Sequence, residues 1–322
     1  MHDRYLKNIF SVFIIFIVLL FISCKSKNSI ADETGQILKP VGLVLEKKIE
    51  GIILGEKINR PTGLDSDNTG DVYFIDGGND RIVCLDQQYQ AVREAGGFGG
   101  VEGLLYGAVY LTIDNSLNVI VSDAGNQRLS VYNSRLNFAY SIELTDIDDP
   151  LKYGRPAGIL ATDFGELWIT DPDNSRLTIF NHLNQFDRFI GTEDSYANLF
   201  RRPTAICKGK GTNIVVADSE NGKIFVFDNS GILRNEFGDD YLYRPTGIAC
   251  DNKNRIWVVD SEFPGIFCFS YDGQMLFSEG QQGADSDYSF NTPTDITILP
   301  EDKIMISDTG NDRLLVYKIL YL

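Results

Sequence analysis

Histidine is nearly absent from this 322-residue chain, which has only His2 and His182. A zinc site built from several imidazoles lacks ligands, and proton shuttling through paired histidines has no candidates. Cysteine is scarce as well, and no two of the five stand in a C-x-x-C spacing. That excludes zinc ribbons and thioredoxin-like redox motifs. Positive charge is in deficit, with 29 Lys and Arg against 45 Asp and Glu, for a net charge of −16. Such a surface repels phosphate backbones, so no nucleic acid partner is expected. It repels anionic lipid headgroups equally, so any membrane attachment must come from something other than charge. What remains is an ordinary globular balance, 43% hydrophobic and 23% charged, rich enough to bury a core. The length fits one large domain or two ordinary ones.

The one long apolar run is N-terminal. Arg4 and Lys7 precede it, residues 9–10 and 12–22 form it around Ser11, and Ser23-Cys24 ends it. A basic start, a short greasy stretch and a small residue at the cut make a secretory signal. The run is shorter than the roughly 20 residues a spanning helix needs. Leu20-Phe21-Ile22-Ser23-Cys24 resembles a bacterial lipobox, with Phe21 in the usual place of Leu and Leu20 one position earlier. The resemblance implies a signal peptide over 1–23 and lipidation of Cys24; an uncleaved anchor helix is the other reading. Residues 24–40 are then a polar tether, and 41–322 the body. The expected location is the cell envelope, lipid-anchored to a bacterial membrane, periplasmic or surface-exposed.

The body repeats itself. Six segments share one pattern, Pro-x-Gly, apolar strand, turn, apolar strand, Asp-x-x-Asn-x-Arg, apolar strand, with departures in single copies. The loop aspartates are Asp76, Asp123, Asp171, Asp218, Asp260 and Asp308, spaced 42 to 48 residues apart. Pro61, Pro156, Pro203, Pro245 and Pro293 each stand fifteen residues earlier, with Ala108 in that place in the second segment. Asn79, Asn126, Asn174, Asn221 and Asn311 recur in the loop, each followed two residues on by Arg or Lys; the fifth segment breaks the loop with Ser-Glu-Phe-Pro-Gly. Runs such as V-Y-F-I, L-W-I-T and I-W-V-V are short, β-branched or aromatic, and apolar on both faces. A strand apolar on both faces must be sandwiched between neighbours, as in stacked propeller blades. Four strands in roughly 45 residues is the size of one blade. The sixth segment lacks a fourth strand, and residues 43–49 can supply it, closing the ring without exposed edges. The predicted fold class is all-β: a six-bladed propeller of four-stranded antiparallel blades, closed by an N-terminal strand.

The Pro-x-Gly start with the Asp-x-x-Asn-x-Arg loop resembles the NHL repeat over residues 41–322. The resemblance implies an interaction scaffold, although some related six-bladed propellers are metal-dependent lyases or lactone hydrolases.

The individual constellations are mostly architectural. Asp and Asn side chains satisfy backbone amides in short loops, so the repeated Asp, Asn and Arg read as structure. His182 reads as a solvated outer-loop residue. Cys84, Cys207, Cys250 and Cys268 read as small buried hydrophobes; a Cys207–Cys250 disulfide between adjacent blades is the disfavoured alternative, because the two are expected to point to opposite faces. Calcium would need several channel carboxylates, yet the position two after the opening proline is Gly63, Gly158, Ala205 and Gly247, with Asp295 alone in the sixth segment. No metal, cofactor or catalytic residue is assigned. One feature is left for binding. Arg60, Arg155, Arg202 and Arg244 each immediately precede an opening proline, a register that belongs on one rim near the channel. Convergent guanidiniums grip carboxylate or phosphate, with Asp295 expected nearby; the alternative is that each arginine ties to a loop aspartate such as Asp76 or Asp171. The expected function is a monomeric, lipid-anchored binding scaffold for a protein, glycan or small anionic ligand. The other reading is a metal-dependent hydrolase or lyase.

Overall fold

Strands that are apolar on both faces need a neighbour on each side. Val72–Asp76 and Arg81–Leu85, the second and third strands of the first repeat, are buried along their whole length, and so are their counterparts Leu167–Asp171 and Arg176–Phe180. A computed structural model describes residues 38–149, 151–192 and 198–321 of the chain. The expected signal peptide, Cys24 and most of the tether fall outside them.

Among the described residues the chain forms six four-stranded antiparallel sheets. Innermost strands are Pro61–Ser66, Ala108–Ile113, Ile159–Ala161, Pro203–Lys208, Pro245–Cys250 and Pro293–Leu299 in blades 1 to 6. Each touches the innermost strand of the next blade, and the sixth touches the first, so the sheets form a closed ring. The apolar core is divided accordingly among the seams. Tyr73, Ile75 and Ile82 of blade 1 pack with Leu111, Val119 and Val121 of blade 2, and the other seams are built alike.

The ring closes as the sequence predicts. Pro40–Glu50 pairs antiparallel with Arg313–Tyr321, from Pro40 opposite Tyr321 to Glu50 opposite Arg313. Without it, the third strand of blade 6 would be a bare edge.

Strand direction defines two faces. The crossovers between blades and the short Asp-Asn loops lie on one face, here the collar face. The turns after each innermost strand lie on the opposite, distal face. Innermost strands approach one another so closely that Gly is demanded at alternate blades. A Cβ on Gly63 would lie 2.6 Å from the Tyr110 Cα, one on Gly158 2.6 Å from the Thr204 carbonyl oxygen, and one on Gly247 2.4 Å from the Asp295 Cα. The Pro-x-Gly signature of blades 1, 3 and 5 thus leaves room for the backbone of the blade that follows.

Candidate functional site

The repeated loops are structural. The Asp76 carboxylate accepts hydrogen bonds from the Asn59 amide (2.8 Å), Asn79 Nδ2 (2.8 Å) and Arg81 Nε (2.9 Å). Asp123 and Asp308 repeat this set with Asn126 and Arg128, and with Asn311 and Arg313. In blade 5, where Asn and Arg are missing, Asp260 is filled by the amides of Tyr243, Arg244, Glu262 and Phe263. Among the described residues none of these buried aspartates accepts a hydrogen bond from the guanidinium of a rim arginine.

Of the four rim arginines, Arg60, Arg155 and Arg244 are exposed and Arg202 is half-buried. Arg155 and Arg202 line one open hollow of about 650 Å³ with Tyr106, Pro156, Ala157 and Asp173. Arg155 Nε bonds Asp173 (3.2 Å) and Arg244 meets Glu262 (3.3 Å), so their ion partners lie two residues beyond the loop aspartates rather than on them. The guanidiniums of Arg60 and Arg202 have no hydrogen-bonded or ion-paired partner among the described residues. The four are not equivalent in backbone, however. Arg60 has φ 51°, as do its register mates Gly107 (60°) and Thr292 (47°), whereas Arg155, Arg202 and Arg244 do not adopt the left-handed region. Its amide reaches back to Asp312 of blade 6 (2.9 Å), while the Arg202 and Arg244 amides bond the loop aspartates of their own blades. Exposed apolar side chains surround the collar. Phe98 and Tyr106 meet edge-to-face at 5.4 Å, Tyr243 and Phe263 lie 6.0 Å apart, and Ile52, Val101 and Leu151 are also exposed on these crossovers.

Asp295 does not belong to the collar. It lines a second cavity, about 310 Å³, opening toward the distal face and walled by all six innermost strands. Between the two ends stands Tyr110. Its side chain leaves blade 2 and donates a hydrogen bond to the Thr246 carbonyl of blade 5, diametrically across the ring. Burial, then the nearby Asp295 carboxylate, pushes its phenol well up. The expectation of Asp295 beside the arginines fails because two residues of strand, and this phenol, separate them.

Besides Asp295, Cys207 and Cys250, the distal cavity holds Asp65, Tyr110 and Lys208, which the sequence did not single out. Asp65 accepts hydrogen bonds from the amides of Ser66 (2.8 Å) and, in the next blade, Ile113 (2.9 Å). Asp295 accepts from Ile296 (2.9 Å) and, in the next blade, Leu64 (2.8 Å). Burial drives Asp65 up to about 6 and Asp295 well above the usual carboxylate range. Both carboxylates therefore stitch one innermost strand to the next. The Gly158 amide bonding Thr204 O (2.8 Å) and Thr246 Oγ1 bonding Pro293 O (2.8 Å) continue the hoop. Reading across the six repeats at the fourth and fifth positions after the opening residue, where Asp65, Cys207, Lys208 and Cys250 stand out, would have found this cavity. Among the described residues no group of three His, Cys, Asp or Glu side chains is placed to hold a metal ion.

Two cysteine expectations need correction. Cys84 and Cys268 are buried, but Cys207 and Cys250 are half-buried in the cavity wall. Their sulfurs lie 3.3 Å apart. Their opposite parity is what brings them together, because adjacent blades meet through opposite faces of their sheets. His182 is exposed in a turn of blade 3, as expected.

No family model matches the chain. Protein brain tumor of Drosophila melanogaster is 27% identical over 132 residues, covering 40% of this chain but only 13% of that protein. The E3 ubiquitin-protein ligase NHLRC1 of Homo sapiens is 23% identical, covering 80% of this chain and 67% of its own length. Among solved structures, a streptogramin B lyase superposes with TM-score 0.63 at 15% identity, over 86% of this chain and 98% of that one. The fold is that of a six-bladed β-propeller. Its repeats are NHL-like.

Proposed function

We propose that the protein is an extracytoplasmic binding scaffold, held to a bacterial membrane through lipidated Cys24, whose collar face docks a ligand bearing carboxylate or phosphate groups. The observation that carries the reading is the pairing of guanidiniums with exposed aromatic side chains on one face. Arginine and tyrosine are enriched among the few residues that dominate protein recognition, and the guanidiniums of Arg60 and Arg202, which make no hydrogen bond or ion pair among the described residues, have charge to offer. The test cross-links full-length protein to components of the source envelope. Cross-links should map to the collar crossovers, and Arg60→Ala with Arg202→Ala should lower recovery of the same component about tenfold with little change in melting temperature. Cross-links spread over the distal face would refute the collar. Fatty-acid labelling of the Cys24→Ser protein checks the anchor separately: label should disappear.

A second reading, a metal-dependent hydrolase or lyase on the same fold, rests on the distal cavity, which the Asp65 and Asp295 carboxylates and the Tyr110 phenol line, with no third ligand side chain beside the carboxylates among the described residues. That reading expects Ca²⁺ or Mg²⁺ to raise the melting temperature, and Asp295→Asn to abolish the rise.

A further inference from the structure

Each seam of the ring is stitched near the channel, and one stitch differs in kind. Between blades 4 and 5 the facing groups include two thiols, Cys207 and Cys250, with sulfurs 3.3 Å apart. They are 43 residues apart in sequence and sit on different strands, so a bond between them would join two blades rather than tighten one. Both line the distal cavity, which is open enough to admit a small molecule. Cys84 and Cys268, buried in third strands of blades 1 and 5, have no such access. A disulfide needs about 2.05 Å between sulfurs, so the pair must close by little more than an ångström, within the reach of side-chain rotation.

We propose that Cys207 and Cys250 are an oxidisable dithiol that small disulfides convert to a covalent clasp between blades 4 and 5. The exchange balances. One cysteine thiolate attacks the small disulfide, forming a mixed disulfide and expelling one small thiolate, which takes up a proton. The other cysteine thiolate then attacks the protein sulfur of that mixed disulfide, forming the Cys207–Cys250 bond and expelling the second small thiolate, which is protonated in turn. The protein loses two electrons and two protons, and the small disulfide becomes two thiols. Burial, then Cys250 itself and the Asp295 and Asp65 carboxylates, push the Cys207 thiol up. Thiolate is therefore scarce at neutral pH, and the exchange is slow unless the solution is alkaline or the reaction catalysed. Once formed, the clasp closes a loop in the chain across the seam between blades 4 and 5.

The experiment treats the full chain with hydroxyethyl disulfide at about pH 8.5 and digests it without reduction. Mass spectrometry should find a peptide pair joined through Cys207 and Cys250. The melting temperature should rise by about 5–10 °C and fall back on reduction. Cys250→Ser should leave Cys207 carrying a single hydroxyethylthio adduct with no thermal gain, while Cys84→Ser with Cys268→Ser should behave as the parent does. Recovery of Cys207 and Cys250 as free or singly adducted thiols in the parent protein, with its folded spectroscopic signal intact, overturns the proposal without relying on any variant.

Discussion

At the scale of single residues, tight backbone constraints sit two positions into the innermost strands. Gly247 faces the Asp295 Cα at a distance no side chain could occupy, so Gly247→Ala should cost about 2–4 kcal/mol in denaturant unfolding. Gly42→Ala, whose new methyl would meet only the Leu320 side chain at 3.8 Å, should be nearly neutral. The repeat of Pro-x-Gly was plain in the sequence, but its cause was not, because the clash is with a strand more than 40 residues away. Asp65 yields a pH signature. Its carboxyl keeps its proton to about pH 6 in the folded protein, against an ordinary 3.8. Between those values the folded state binds more protons than the unfolded chain, so stability falls as pH rises through this window and is level above it. Asp65→Asn should flatten that slope, worth on the order of 2 kcal/mol, in urea titrations from about pH 4 to pH 7. Arg60 makes a further test. Its left-handed backbone costs energy that Gly would not pay, so Arg60→Gly should leave stability unchanged or raise it by up to about 1 kcal/mol while removing the guanidinium.

At the scale of elements, strand identity was legible because periodicity and burial agree: V-Y-F-I and its counterparts are apolar on both sides and buried on both sides. The missing fourth strand of the last repeat was legible too, since a ring with an open edge is an unstable solution. Pro40–Glu50 pairs along its whole length with Arg313–Tyr321. Its removal should expose that edge, lower the melting temperature by roughly 10 °C or more, and promote self-association detectable by light scattering. An unchanged melting temperature would mean the ring does not depend on this strand. Less legible was the relation between neighbouring sheets. Opposite parity of Cys207 and Cys250 reads as separation within one sheet and as contact across a seam, and only the stacking of blades decides between them.

At the scale of the whole molecule, Tyr110 ties opposite sides of the ring together. Its hydrogen bond to Thr246 spans the ring between residues 136 positions apart, a relation no local pattern encodes. Tyr110→Phe should cost about 1–2 kcal/mol by losing that bond, and Tyr110→Ala about 3–5 kcal/mol by also leaving a void, both read from thermal or urea unfolding. Register put Arg155 and Arg202 on one hollow, but it did not show that Arg60 has a different backbone or that Asp295 lines the other cavity. The closing strand has a last consequence. Pro40 stands opposite Tyr321, at the distal end of its strand, whereas Glu50 stands at the collar end. The chain therefore enters the ring through the distal face. The strand that closes the ring thus begins on the face of the Asp65 and Asp295 cavity and ends on the face of the arginines.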